Sequence, residues 1–388
     1  MNKTLTILLI AISAYIPAHG EYITPELKDI PLDRLIANVA ERVKAEPGNS
    51  EALHQFARVH AMAYARNIAD TDLVKTWKGW ENNRPAEPWF GHETPHVPFS
   101  RLVQGANEKK AETAKAHLAT AIDTYKKTLV IKPGDEIIKL GLAWCQNQAG
   151  EKDAAIALYR EVASTAWKYA GSNAELECSI YVETAGYLIR LLDPTNDAVE
   201  IAVLKQRSEK LHSLPSAISP IIIPLTDHTT LAPLINRDAR VRFDLDGTGR
   251  QLEWQWITPD AAWLVFDPQH TGKITSAIQM FGNRTFLLFC PDGYQALSLL
   301  DDNRDGTLTG HELNGLALWR DANANGISEP GEVRPVTSHG ITALSIRSQQ
   351  HETGIPFSPN GVTFQDGTTR PTYDIILQTR PTRSDNRN

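Results

Sequence analysis

Two oxygen-rich segments separated by only eight residues constrain this chain more than any other feature of it. The first reads Asp301-Asp302-Asn303-Arg304-Asp305-Gly306-Thr307-Leu308-Thr309-Gly310-His311-Glu312. Side-chain oxygens stand at its first, third and fifth positions (Asp301, Asn303, Asp305) and a backbone carbonyl is offered at the seventh (Thr307). Glu312 closes it with a carboxylate that can chelate through both oxygens. Gly306 permits a sharp turn at the sixth position, and the apolar Leu308 pins the centre of the loop. Hard oxygen donors in this order suit calcium.

The second segment, Asp321-Ala322-Asn323-Ala324-Asn325-Gly326-Ile327-Ser328-Glu329-Pro330-Gly331-Glu332, repeats the scheme with Asp321, Asn323, Asn325, the Ile327 carbonyl and Glu332. Asparagine at two positions lowers its charge, which Glu329 at the ninth position partly restores. Both segments have the form of EF-hand loops, and two calcium ions are expected. Only Leu313 to Arg320 lies between them, which predicts one short helix shared by both loops and anchored by Leu313, Leu316, Leu318 and Trp319. Upstream, Asp244-Leu245-Asp246-Gly247 is a further Asp-rich turn. Asp267 to Ile278 is another loop, in which Gln269, Thr271 and Ile278 replace the strong ligands and calcium is expected to be lost.

Phe243-Asp244-Leu245-Asp246-Gly247, a Trp-containing strand, Phe281-Gly282, Asp292-Gly293-Tyr294, the paired loops and Gly340-Ile341 follow one another in a characteristic order. Over about 235 to 348 the chain resembles the EF-hand-bearing calcium-binding module of secreted bacterial proteins, including relatives of the RTX type. The tandem nonapeptide repeats of RTX proteins are absent, so no toxin-like activity is carried over. Without metal the clustered Asp301, Asp302 and Asp305 repel one another, so calcium is expected to act as a folding cofactor. Beyond residue 210 Lys nearly disappears while Asp, Asn and Gly become frequent. Strands are predicted at Val241–Leu245, Trp263–Phe266, Thr285–Phe289, Ile341–Ile346 and Thr372–Leu377.

The first half reads differently. From Leu32 to Leu214 apolar residues recur at helical spacing, with Gly and Pro at plausible turns. Pro47 precedes Phe56-Ala57 as Pro133 precedes Leu142-Ala143, and Ala121, Tyr125, Gly150, Ala155 and Tyr159 keep a register of about 34 residues. On these residues the half resembles a degenerate tetratricopeptide repeat, best between Ala116 and Ala163. Trp167 and Val162 depart from the family pattern. The resemblance implies a surface for a protein or peptide partner.

This repeat is interrupted at about 67–108 by a segment holding Trp77, Trp80, Trp89 and Phe90 among Pro85, Pro88, Pro95 and Pro98. It either caps the helices or forms a ligand-binding loop. Within it, His92-Glu93-Thr94-Pro95-His96 matches the zinc pattern of metalloproteases. That chemistry needs both histidines on one helical face, and Gly91, Pro95 and Pro98 deny the segment a helix. The match is read as spurious and no catalytic residue is assigned. A hydrolase or carbohydrate binder working through residues 77–99 is the alternative to a non-enzymatic protein.

Lys3 before an apolar run from Leu5 to Ile16, then Ala18 and Gly20, predicts a secretory signal peptide over 1–20, cleaved near Gly20. The run is too short to span a bilayer, for which about 20 residues are needed, and no later run is longer. The expected location is the periplasm or the exterior. Thirty-nine Lys and Arg against 46 Asp and Glu, with no basic block, exclude a nucleic-acid binder. Cys145, Cys178 and Cys290 allow three pairings, between which sequence does not choose.

The expected protein is therefore multidomain. An all-α, tetratricopeptide-like domain spans 21–212, a Pro-rich linker 213–236, and a small α+β calcium-binding domain 237–388. It is exported and non-enzymatic, takes up calcium, and offers its helices to a protein partner.

Overall fold

The computed structural model describes residues 31–69, 108–169, 175–211, 217–226, 230–246, 251–288 and 290–379. The signal-peptide segment, the aromatic residues of the insert and the His92–His96 motif lie outside the described residues.

Helices come first: α1 (Leu32–Ala45), α2 (Ser50–Ala69), α3 (Glu108–Ile131), α4 (Glu136–Gln148), α5 (Lys152–Tyr169), α6 (Glu175–Leu191) and α7 (Ala198–Leu211). From α2 onward each packs mainly on its chain neighbours, around a core that includes Ala57, Ala121, Tyr125, Ala143, Ala155, Tyr159 and Tyr181. Small residues allow the close approach. A Cβ at Gly141 of α4 would lie 2.5 Å from the Tyr125 ring of α3. Asp135 caps α4 by accepting a hydrogen bond from the Ile138 amide.

Thereafter the chain is β-rich: β1 (Ala217–Ile218), β2 (Ile221–Pro224), β3 (Ile235–Phe243), β4 (Leu252–Ile257), β5 (Ala261–Phe266), a short helix α8 (Gly293–Ser298), β6 (Thr307–Thr309), β7 (Leu316–Trp319), β8 (Val333–Pro335), β9 (Ile341–Ser345), β10 (Gln349–Gln350), β11 (Pro356–Phe364), β12 (Thr369–Asp374) and β13 (Leu377–Gln378). Nine of these strands form one sheet in the order β6-β9-β11-β12-β2-β5-β7-β8, with β10 added on β11, and every pairing is antiparallel. The sheet is large and curled into a half-barrel.

This corrects the expected fold class. Beyond residue 220 there is no small α+β domain but an extended antiparallel sheet, and it is not set apart from the helices. Alternation along the central strands shows why. Ile221 and Ile223 of β2, Ala262, Leu264 and Phe266 of β5, and Leu316 and Leu318 of β7 point to one face. Their neighbours Ile222, Trp263, Val265, Ala317 and Trp319 point to the other. Strands apolar on both sides must be covered on both sides. One cover comes from the start of the chain: Leu32, Leu35 and Val39 of α1 with Val59 and Met62 of α2 join the first face. The β3–β4 hairpin, through Phe243, Trp254 and Trp256, covers the second.

Two local expectations are also corrected. The stretch expected as a shared helix between the two loops holds a strand, β7, fully buried and paired with β5. Gly315, at φ 85° and packed on the Phe266 ring, breaks the chain direction just before it. Thr285–Leu287, expected within a strand, is a 3₁₀ turn with Phe286 at φ 52°. The Ile221–Ile223 run of the Pro-rich segment is an internal strand, flanked by β12 and β5.

Candidate metal centre

Three loops of the second half share one backbone shape. In each, the first-position carboxylate accepts the amide N–H of the sixth-position glycine: Asp301 Oδ2 from Gly306 at 3.0 Å, Asp321 Oδ2 from Gly326 at 2.8 Å, and Asp267 Oδ2 from Gly272 at 2.8 Å. In each, the fourth and sixth residues take left-handed φ: Arg304 60° and Gly306 93°, Ala324 55° and Gly326 74°, His270 52° and Gly272 68°. Sequence pattern alone therefore sets the turn in all three, whatever the ligand strength of the side chains.

In the first loop Asp301 and Glu312 are buried. Glu312 Oε1 accepts from the amides of Asp302 (2.8 Å) and Asn303 (3.2 Å), and Oε2 from Thr309 (2.9 Å). Asn303 Oδ1 accepts from the Asp305 amide at 2.8 Å, and Asp305 Oδ1 from the Thr307 amide at 2.8 Å. Asp301 Oδ1 is buried and receives no hydrogen bond. A buried anionic oxygen without a donor is costly, and a cation fits that donor set. Leu308 is buried in β6, paired with Leu344 of β9.

The second loop is tied in by tryptophans. Trp256 Nε1 donates to Asp321 Oδ2 at 2.8 Å, and Trp319 Nε1 to Glu332 Oε2 at 3.4 Å. Asp321 Oδ1 also accepts from the Asn325 amide at 3.1 Å, and Asn325 Oδ1 from the Ile327 amide at 2.7 Å. Glu332 Oε1 accepts from Ala322 at 3.0 Å and Oε2 from Glu329 at 3.1 Å. Glu329 holds the Asn323 and Asn325 side-chain amides at 2.9 and 3.3 Å. Burial lifts the Asp321 carboxyl above its ordinary value, against the pull of the Gly326, Asn325 and Trp256 donors, and the charge of Glu332 adds to the rise. Ile327 is exposed, so the centre of this loop is pinned elsewhere. Ser328 Oγ accepts from the Ile274 amide at 2.9 Å, which joins the eighth positions of the second and third loops.

In the third loop Thr271 is turned on the first-position carboxylate. Its amide and hydroxyl donate to Asp267 Oδ1 at 2.9 and 3.0 Å. Asp244 and Asp246 are buried nearby in sequence to β3, and the Asp244 carbonyl accepts from the Ala277 amide.

The oxygen-bearing side chains of each loop are thus gathered around its own turn, and their oxygens are turned mainly on the loop's amides. Among the described residues no three Asp, Glu, His or Cys side chains converge as a metal-binding group. Cys145 and Cys290 are buried in the separate helical and sheet cores, and burial pushes the Cys290 thiol well up. Sequence reading did not find Trp256, or Arg34 and Asn38 of α1, which hold Asp302. Their partners lie far away in the chain, and no local pattern signals them.

No helix among the described residues is long and apolar enough to cross a membrane. Comparison with known proteins bears on the second half. The family described as the SPM domain matches residues 228–378, a stretch that contains all three loops. Over 145 residues, 35% of this chain, the sequence is 30% identical to the iron-regulated protein FrpA of Neisseria meningitidis serogroup C, and the chain spans 13% of the length of that relative.

Proposed function

We propose that this chain is an exported, non-enzymatic calcium-binding protein, in which the loops 301–312 and 321–332 each take one ion and the metal stabilises the sheet around them. One observation carries the reading. The first loop combines the Asp-to-Gly turn with a buried Asp301 oxygen that lacks a donor, beside the inward-turned Glu312. Asp301, Asn303, Asp305, the Thr307 carbonyl and Glu312 would hold the first ion; Asp321, Asn323, Asn325, the Ile327 carbonyl and Glu332 the second. Calcium supplies positive charge there and no chemistry.

Export rests on the signal-type pattern at Lys3, Leu5–Ile16, Ala18 and Gly20. Outside the cytoplasm a site of about 0.1 to 1 mM affinity is filled, so calcium serves as a staple. Val130, Ile131 and Val199 are exposed on the helices, where a protein or peptide partner would dock.

Calorimetric titration of chelator-treated protein with calcium, and with magnesium as control, tests the reading. Two calcium-specific sites are expected, with Glu312→Gln and Glu332→Gln each removing one. Equal heats for the two metals, or binding unaffected by both substitutions, would refute it.

A further inference from the structure

Among the described residues, only the first of the three loops is gripped by the helical half. The side chain of Asp302, the loop's second residue, accepts Arg34 Nε at 2.9 Å and Nη2 at 3.0 Å on its two oxygens, and Asn38 Nδ2 at 2.8 Å. The same two residues hold the chain leading into the loop: Arg34 Nη2 donates to the Leu300 carbonyl at 2.6 Å and Asn38 Nδ2 to the Leu299 carbonyl at 2.9 Å. Arg304, the fourth loop residue, lies 3.8 Å from Glu41 of α1.

Arg34 and Asn38 are one helical turn apart on α1, and Leu35 and Val39 beside them enter the core that also holds Leu308 of the loop and Leu313 just after it. The Arg34–Asp302 pair is about three-quarters buried, so it is less screened than a surface pair. Asp302 also connects inward. Its amide N–H donates to Glu312 Oε1, the carboxylate that closes the loop. One residue therefore touches both the proposed chelating group and the helix.

We propose that α1, through Arg34 and Asn38, is a positioning element for the first loop, so that calcium binding at 301–312 and docking of the α1–α2 pair on the sheet strengthen each other. This rests on the reading of 301–312 as a calcium site. The physical basis is preorganisation. A loop whose leading segment and second residue are already fixed gives up less freedom when it closes on an ion. Reciprocity then requires the ion to strengthen helix docking by the same factor. Charge acts the other way, because Arg34 offsets the negative charge of Asp302 and a guanidinium near the site repels a cation. Asn38 separates the two effects, since replacing it changes contacts without changing charge.

The test measures amide hydrogen exchange of α1 in the full chain with and without calcium, alongside calorimetric titration. Calcium is expected to raise protection of α1 amides about five- to tenfold, and Glu312→Gln to abolish that rise while Glu332→Gln leaves it. Asn38→Ala is expected to weaken the first site by a similar factor and spare the second. Calcium binding at the first loop with unchanged α1 protection overturns the coupling alone. No calcium heat attributable to Glu312 overturns the site reading and the coupling together. The exchange measurement needs no substitution, so a poorly folding Asn38→Ala does not protect the proposal.

Discussion

The indole N–H of Trp256 donates to Asp321 Oδ2 at 2.8 Å, across 65 residues of sequence. Trp256 sits in a buried aromatic group with Phe243, Trp263 and Trp319, so the ring is fixed and the donor is aimed. Replacing it with Phe keeps an aromatic ring, removes one donor from a buried carboxylate and leaves a gap where the larger indole stood. Trp256→Phe is expected to lower stability by about 1 to 3 kcal/mol, read from denaturant midpoints. A change within a few tenths of a kcal/mol would show that the bond contributes nothing net.

Removing the closing carboxylates tests the staple. At calcium about ten times its dissociation constant each site adds roughly 1.4 kcal/mol, so two sites raise the melting temperature measurably. Glu312→Gln with Glu332→Gln is expected to erase most of the calcium-dependent rise and leave the helical segment folded. An undiminished rise in the double variant would place calcium elsewhere.

Gly326 and Gly331 make a controlled pair. Both have positive φ, 74° and 93°. A Cβ at Gly326 would also lie 2.6 Å from Val241 Cγ1 and 2.8 Å from the Arg242 carbonyl, whereas none is crowded at Gly331. Gly331→Ala is expected to lose about 1 kcal/mol to backbone strain, and Gly326→Ala clearly more, in thermal unfolding. Equal losses would mean that the β3 contact is soft.

Acid should weaken the helical segment. His54 is partly buried and desolvation lowers it to about 4, with Arg58 and Lys132 reinforcing and Asp135 opposing; burial and His117 lower His60 to about 4 as well. The unfolded chain binds these protons near the ordinary value of about 6.5, before the folded chain does. Stability is therefore full above about 6.5 and falls as pH drops toward 4. For His54 the loss is on the order of 3 kcal/mol, and it should be reduced in His54→Gln. Denaturant midpoints unchanged between pH 7 and 4.5 would contradict this.

What sequence revealed and what it concealed divide by distance along the chain. The loop turns were legible because the carboxylate and the glycine amide that define them are five residues apart, as in Asp301 and Gly306. The pair His60 and His117, with Nδ1 atoms 2.8 Å apart, and the Arg34–Asp302 pair join remote segments and left no local trace. The run Leu316–Trp319 misled for another reason. Four apolar residues carry no readable period, and only the cover on both faces decides that they are a strand. The same absence hid the role of Ile221–Ile223, whose Pro flanks suit a connector as well as they suit a short buried strand.

Strand β2 lies between β12 and β5, yet it precedes residue 228, where the SPM domain match begins. A chain trimmed to the matched stretch would thus lose a middle stave as well as the α1 and α2 side chains that share a core with Leu264 and Leu318. A stretch matched by sequence and a unit that folds need not share a boundary: here the matched stretch is completed by a strand and two helices that precede it.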